Sequence, residues 1–158
     1  MAGHNSILAS LLRVPLFGGL KPLQITEIAR QAERVRFRPG SVIAHAGQAA
    51  DGAHLIVSGS TEKRTAAPPG ASEQVETGSL ICELAMFVEY APGSTIVAVE
   101  RVHALKLTRA ALHEQMSADP GLARHFEDIF IDRLQQAITD AREIDRLLEA
   151  RAAVAEAV

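Results

Sequence analysis

The chain has 158 residues, of which 47% are hydrophobic and 22% charged, so a single globular domain can bury a core of ordinary size. Its formal net charge of -3 excludes bulk electrostatic attraction to nucleic acid or to an anionic membrane surface. A single cysteine excludes an intramolecular disulfide, and no run approaches the roughly 18 apolar residues of a membrane span.

The first residues, Met1-Ala2-Gly3-His4-Asn5, lack the charged start and apolar centre of a secretory signal, so a cytoplasmic protein is expected. Residues 5–14 read as a short amphipathic helix: Asn5 is its N-cap, Ile7, Leu8, Leu11 and Leu12 form one face, and Pro15 stops it. Leu16 and Phe17 anchor the turn that follows. A second helix starts with Pro22 in its first turn and carries Leu23, Ile25, Ile28, Ala29 and Ala32.

From Val35 the apolar period changes to two. Val35 and Phe37, then Val42 and Ile43, bracket the tight turn Pro39-Gly40, and further turn signals stand at Gly47, Asp51-Gly52 and Ser58-Gly59. Leu55-Ile56-Val57 is the most strand-like run, with His54 read as a half-buried strand residue. Strands near 61–64 and 73–76 are joined by a loop over 66–72 containing Pro68-Pro69-Gly70. Regular short strands with glycine corners indicate an all-β sandwich or barrel of roughly eight strands.

The stretch from Gly78 to Ala98 is the part whose residue order suggests a particular chemistry. A Gly-Ser turn leads into Glu83-Leu84-Ala85-Met86-Phe87, long enough for one helical turn whose first N–H groups point outward as an anion site. Cys82 sits at the start of that turn, where a thiolate is favoured; a small apolar residue with no redox role is the simpler expectation. Apolar alternation resumes over 95–99 and 103–107, and Thr108 caps a helix over 109–116. Asp119-Pro120 then opens a helix with no later proline or glycine beyond Gly121 to end it before its Ala-rich last turn frays. Along it Phe130, Leu134, Ala137, Ala141, Ile144 and Leu148 recur at alternating spacings of four and three. Charges flank that heptad stripe, which is read as a homodimer interface rather than a face packed on the same chain.

Glu83-Leu84-Ala85 with Gly93-Ser94-Thr95 resembles the phosphate-binding cassette of the cyclic-nucleotide-binding domain, the regulatory module of catabolite-activator-type transcription factors and of cyclic-nucleotide-dependent kinases and channels. The family cassette runs roughly Phe-Gly-Glu-Leu-Ala, then a short loop, then Pro-Arg-Ala-Ala-Thr. The resemblance covers nearly the whole chain. It implies a mainly β architecture with flanking helices (α+β): two N-terminal helices over 1–34, a jelly-roll β-barrel over 35–108 with the cassette at 78–98, and C-terminal helices over 109–158 with a dimerisation helix at 120–155. It also implies Glu83, Leu84, Ala85, Gly93, Ser94 and Thr95 as ligand contacts, with Glu83 on a ribose hydroxyl, and cyclic AMP or another small anion as the ligand.

Two positions depart from the family pattern. The glycine before the glutamate is Cys82, and the arginine that grips the cyclic phosphate is Pro92. A proline supplies neither the charge nor the planar fork of a guanidinium, so cyclic-nucleotide affinity is expected to fall by roughly 10- to 150-fold.

Other constellations point nowhere. Arg30, Arg34, Arg36 and Arg38 read as a solvated face, and the histidines do not fall at zinc-site spacings. No nucleophile elbow, P-loop or His-Glu-x-x-His pattern is present, and the carboxylate pair Glu127 and Asp128 sits on a helix surface, so no enzyme is expected. The segment 150–158 is too short for a DNA-reading helix with its support. Two functions follow: a stand-alone cyclic-nucleotide-binding-like sensor with weak or altered ligand binding, or a degenerate non-binding domain whose dimeric helices contact an unidentified protein partner.

Overall fold

The computed structural model describes residues 2–65 and 70–157, with side chains from Ser6 onward, so the expected loop at 66–72 lies partly outside the described residues. Helix α1 spans Ala2–Leu12 and starts before Asn5, with Gly3 accommodated in its first turn. Asn5 is therefore inside the helix and not its cap. After the 3₁₀ turn Pro15–Phe17, helix α2 runs Pro22–Gln31, with Pro22 in the first turn as expected. The Gln24 side chain reaches back to accept the Lys21 N–H at 2.9 Å, which ties down one otherwise unpaired donor.

Eight strands follow: β1 Glu33–Phe37, β2 Val42–Ala44, β3 Gly52–Ser58, β4 Thr61–Arg64, β5 Ser72–Val75, β6 Leu80–Ile81, β7 Thr95–Ala98 and β8 Val102–Thr108. They form two antiparallel four-stranded sheets, ordered β1-β8-β3-β6 and β2-β7-β4-β5. The turn at Pro39-Gly40 thus carries the chain from one sheet to the other. Inward residues of both sheets build the sandwich core, with Ile43, Ile96 and Ala98 from one and Ile56, Ile81, Val102 and Ala104 from the other. On its outer face the first sheet buries Leu55, Leu105 and Leu107. Only about 20 Å³ of void remains where Leu107 meets Phe17, Ile28, Met86 and Leu112.

Two glycines allow β3 to lie against β8 at both ends. A Cβ on Gly52 would stand 2.3 Å from the Leu107 carbonyl oxygen, and one on Gly59 2.4 Å from that of Arg101. Gly59 also has φ +96°, which side chains rarely adopt.

Helix α3 spans Arg109–Ala118 and is capped by Thr108, whose Oγ1 accepts the Ala111 N–H. Helix α4 spans Pro120–Glu156, and Asp119 caps it by accepting the Leu122 N–H at 3.2 Å. Gln24 donates to the other Asp119 oxygen at 3.0 Å, joining the start of α2 to this cap. The compact unit reaches Leu122, and the rest of α4 from Ala123 forms a second unit. Along that second unit Leu134, Ile144 and Leu148 are more than half exposed, Ala137 and Ala141 are exposed, and Phe130 is half-buried.

Candidate functional site

The segment after β6 makes one 3₁₀ turn, Glu83–Met86, as its residue order suggests. Ala85 and Met86 are buried, Leu84 is exposed, and the Ala85 N–H returns to the Cys82 carbonyl at 2.9 Å. Cys82 enters this turn in the left-handed conformation, φ 58° and ψ 45°, the only positive φ outside glycine among the described residues. That is why glycine suits this place. The thiolate expectation fails: burial in an apolar wall pushes the Cys82 thiol above its ordinary value.

The loop over 45–50 is fastened to the segment over 90–95. The Gly47 N–H donates to the Pro92 carbonyl and the Ala50 N–H to the Tyr90 carbonyl, both at 2.8 Å. The Thr95 hydroxyl oxygen accepts the Ala46 N–H at 3.1 Å. Between this loop and the first sheet lies a cavity of about 500 Å³, within the size range of small-molecule pockets. Val35, Phe37, Ile43, Ala44, Cys82 and Pro92 give it an apolar side. Glu83 and Gly93 are the chain neighbours of Cys82 and Pro92, so the cassette borders the cavity, but the walls themselves are made by Cys82 and Pro92.

The first sheet also adds a polar row to the cavity, and sheet register explains it. Lys106 of β8 pairs with Glu33 of β1 and with His54 of β3, which sets all three in one cross-strand row lining the cavity. Lys106 Nζ donates to Asp51 Oδ2 at 3.1 Å, and this bond holds the Asp51 carboxyl below its ordinary range. His54 sits edge-on to Phe37 with ring centroids 5.6 Å apart. Burial first, and the Lys106 charge second, lower its pKa from 6.5 to about 4, so it is neutral at pH 7.

Helix α3 grips the cassette turn from its other end. Arg109 Nη1 donates to the carbonyls of Val88 at 2.8 Å, Ala85 at 3.3 Å and Ala50 at 3.4 Å. One turn later His113 Nε2 lies 2.9 Å from the Phe87 carbonyl oxygen. Sequence reading missed Lys106, Asp51 and Arg109 as site residues. A lysine at an inward position of an otherwise apolar alternating strand is the signal that marks Lys106.

The family model for the cyclic nucleotide-binding domain matches residues 34–119. Among solved structures, the fold is similar to the N-terminal domain of a transcriptional regulator from Streptomyces coelicolor, with TM-score 0.73 and 24% identity over 81% of this chain and 94% of that one. It is also similar to the sensor domain of the transcriptional regulator DNR from Pseudomonas aeruginosa, with TM-score 0.67 and 22% identity over 88% and 95%. A cyclic nucleotide-binding-like protein from Brucella abortus matches with TM-score 0.63 and 24% identity over 70% and 97%. No curated protein matches the chain.

Proposed function

The chain belongs to the cyclic nucleotide-binding domain family, and from that premise we propose that it is a regulatory sensor that takes a small molecule into its cavity, with weak or altered cyclic-nucleotide binding. The observation that carries this reading is the cavity of about 500 Å³ walled by Pro92, where the family arginine would stand. The space for a ligand is kept while the fork that grips a cyclic phosphate is gone. We propose Glu83, Leu84, Ala85, Gly93, Ser94 and Thr95 as the remaining cassette contacts, although of this segment only Cys82 and Pro92 line the cavity. On this reading the protein is a binding module and not an enzyme.

Its exposed stripe on α4, Leu134, Ala137, Ala141, Ile144 and Leu148 with Phe130 at its head, pairs two copies into a homodimer, and a further protein partner reads the ligand state. Calorimetric titration with cyclic AMP and cyclic GMP, with the solution mass measured in parallel, tests the reading. Weak saturable binding and a dimeric mass support a sensor of altered specificity. Silence to millimolar nucleotide in a stable dimer supports a protein-interaction module instead, favoured by the same Pro92.

A further inference from the structure

The polar row inside the cavity says which end of a ligand goes where. Among the described residues Lys106 is the only lysine or arginine lining the cavity, and its side chain is 24% exposed. Its carboxylate partner Asp51 is 72% exposed at the rim. An ion pair between a half-buried cation and a solvated carboxylate is easily exchanged, because the rim group recovers full hydration when it lets go. Glu33, the register partner of Lys106, is exposed as well, so water and salt screen its charge. His54, neutral at pH 7, offers a hydrogen bond without a competing charge. The same space is also lined by Phe37, which packs edge-on against His54, and by Ile43 and Pro92, none of which carries a charge.

We infer that the cavity takes a small ligand with an apolar, preferably aromatic, body and one anionic group, with the anion at Lys106 and not at the cassette. The anion displaces Asp51 from Lys106, and the body lies against Phe37, Ile43 and Pro92. Asp51 is the internal stand-in for the ligand's own charge. This rests on the sensor reading above and adds to it the identity of the counter-charge and the class of ligand.

The test uses the full chain and its single cysteine, which lines the same cavity. Naphthoate, its neutral analogue naphthylmethanol, and cyclic AMP are each titrated while the rate of Cys82 alkylation by iodoacetamide is followed. Naphthoate is expected to protect Cys82 and to bind about tenfold more tightly than naphthylmethanol, the low end for a charge-assisted contact. Lys106→Met should erase that preference and leave naphthylmethanol binding unchanged. Asp51→Asn, which keeps the lysine and removes its competitor, should tighten naphthoate several-fold. A preference that survives Lys106→Met, or is unmoved by Asp51→Asn, overturns the inference. Failure of naphthoate to protect Cys82 also overturns it, and protection by cyclic AMP in that same experiment shows that the sensor reading stands without it. If none of the three compounds protects Cys82, both are wrong.

Discussion

Arg109 Nη1 donates a 2.8 Å hydrogen bond to the carbonyl oxygen of Val88, 21 residues earlier in the chain. The same nitrogen reaches Ala85 and Ala50, so one guanidinium gathers the end of the cassette turn and the loop before β3. Arg109→Met should cost about 2 kcal/mol of folding stability, since three carbonyls lose a charged donor. Hydrogen exchange of the amides over 85–88 should quicken more than that of the sheets, with Arg109→Lys recovering part of both losses. Equal quickening everywhere would mean that Arg109 supports the fold globally and not this turn.

Cys82 occupies a left-handed conformation that costs an ordinary residue about 1–2 kcal/mol. Cys82→Gly should remove that cost while adding the greater backbone freedom of glycine in the unfolded chain, for a net change between zero and about 1 kcal/mol of stabilisation. Cys82→Val, β-branched at the same angles, should destabilise by more than about 1 kcal/mol. Urea unfolding midpoints at unchanged slope would measure both. A stabilising valine would contradict the backbone account.

His54 makes stability depend on pH in a defined direction. Its folded pKa, about 4, lies below the value of 6.5 for a free histidine, so the unfolded chain takes up a proton that the folded chain refuses. The contribution is fully present above about pH 7.5 and is lost as pH falls through 6.5 towards 4. At pH 4.5 the loss amounts to about 2–3 kcal/mol, and His54→Gln should flatten that part of the profile while retaining the part due to carboxylates. Parallel profiles for both proteins would show that His54 is not neutral in the fold.

Pro92→Arg restores the cationic fork to the cassette. Affinity for cyclic AMP should rise by roughly 10- to 150-fold in calorimetric titration. No gain would mean that the backbone over 90–95, held by the Gly47 and Ala46 N–H donors, no longer presents that position to a phosphate.

The stripe on α4 makes its own prediction. Leu134→Glu together with Ile144→Glu places charges at two exposed apolar positions. Sedimentation should report a dimer for the parent chain and a monomer for the double variant, with helix content almost unchanged because both substitutions keep good helix formers. A dimer that persists would locate the interface away from this stripe.

How far the sequence carried depended on the range of each interaction. Helix starts at Pro22 and Asp119-Pro120, the glycine corners and the single turn at Glu83 are local signals, and all were readable. The start of α1 was not, because alanine at position 2 serves a helix interior as well as a frayed end. Lys106 and Glu33 lie 73 positions apart and meet only through the β1–β8 register, which no local pattern states. Arg109 reads as an ordinary first residue of a helix because its partners come from two other segments. The family resemblance pointed to the cassette, whereas the charged row beside the cavity is assembled only by the pairing of β1, β8 and β3.

The strand order also sets a schedule for synthesis. Within its sheet β1 pairs only with β8, and β2 only with β7, so the two strands made first find their partners last. A nascent chain that has not yet emerged through Thr108 exposes two unpaired edges and half a core, the condition in which chains of this kind associate with one another. Slow codons or a chaperone would matter most while residues 40–108 leave the ribosome, and fragments ending before β8 should be recovered as aggregates and not as smaller domains.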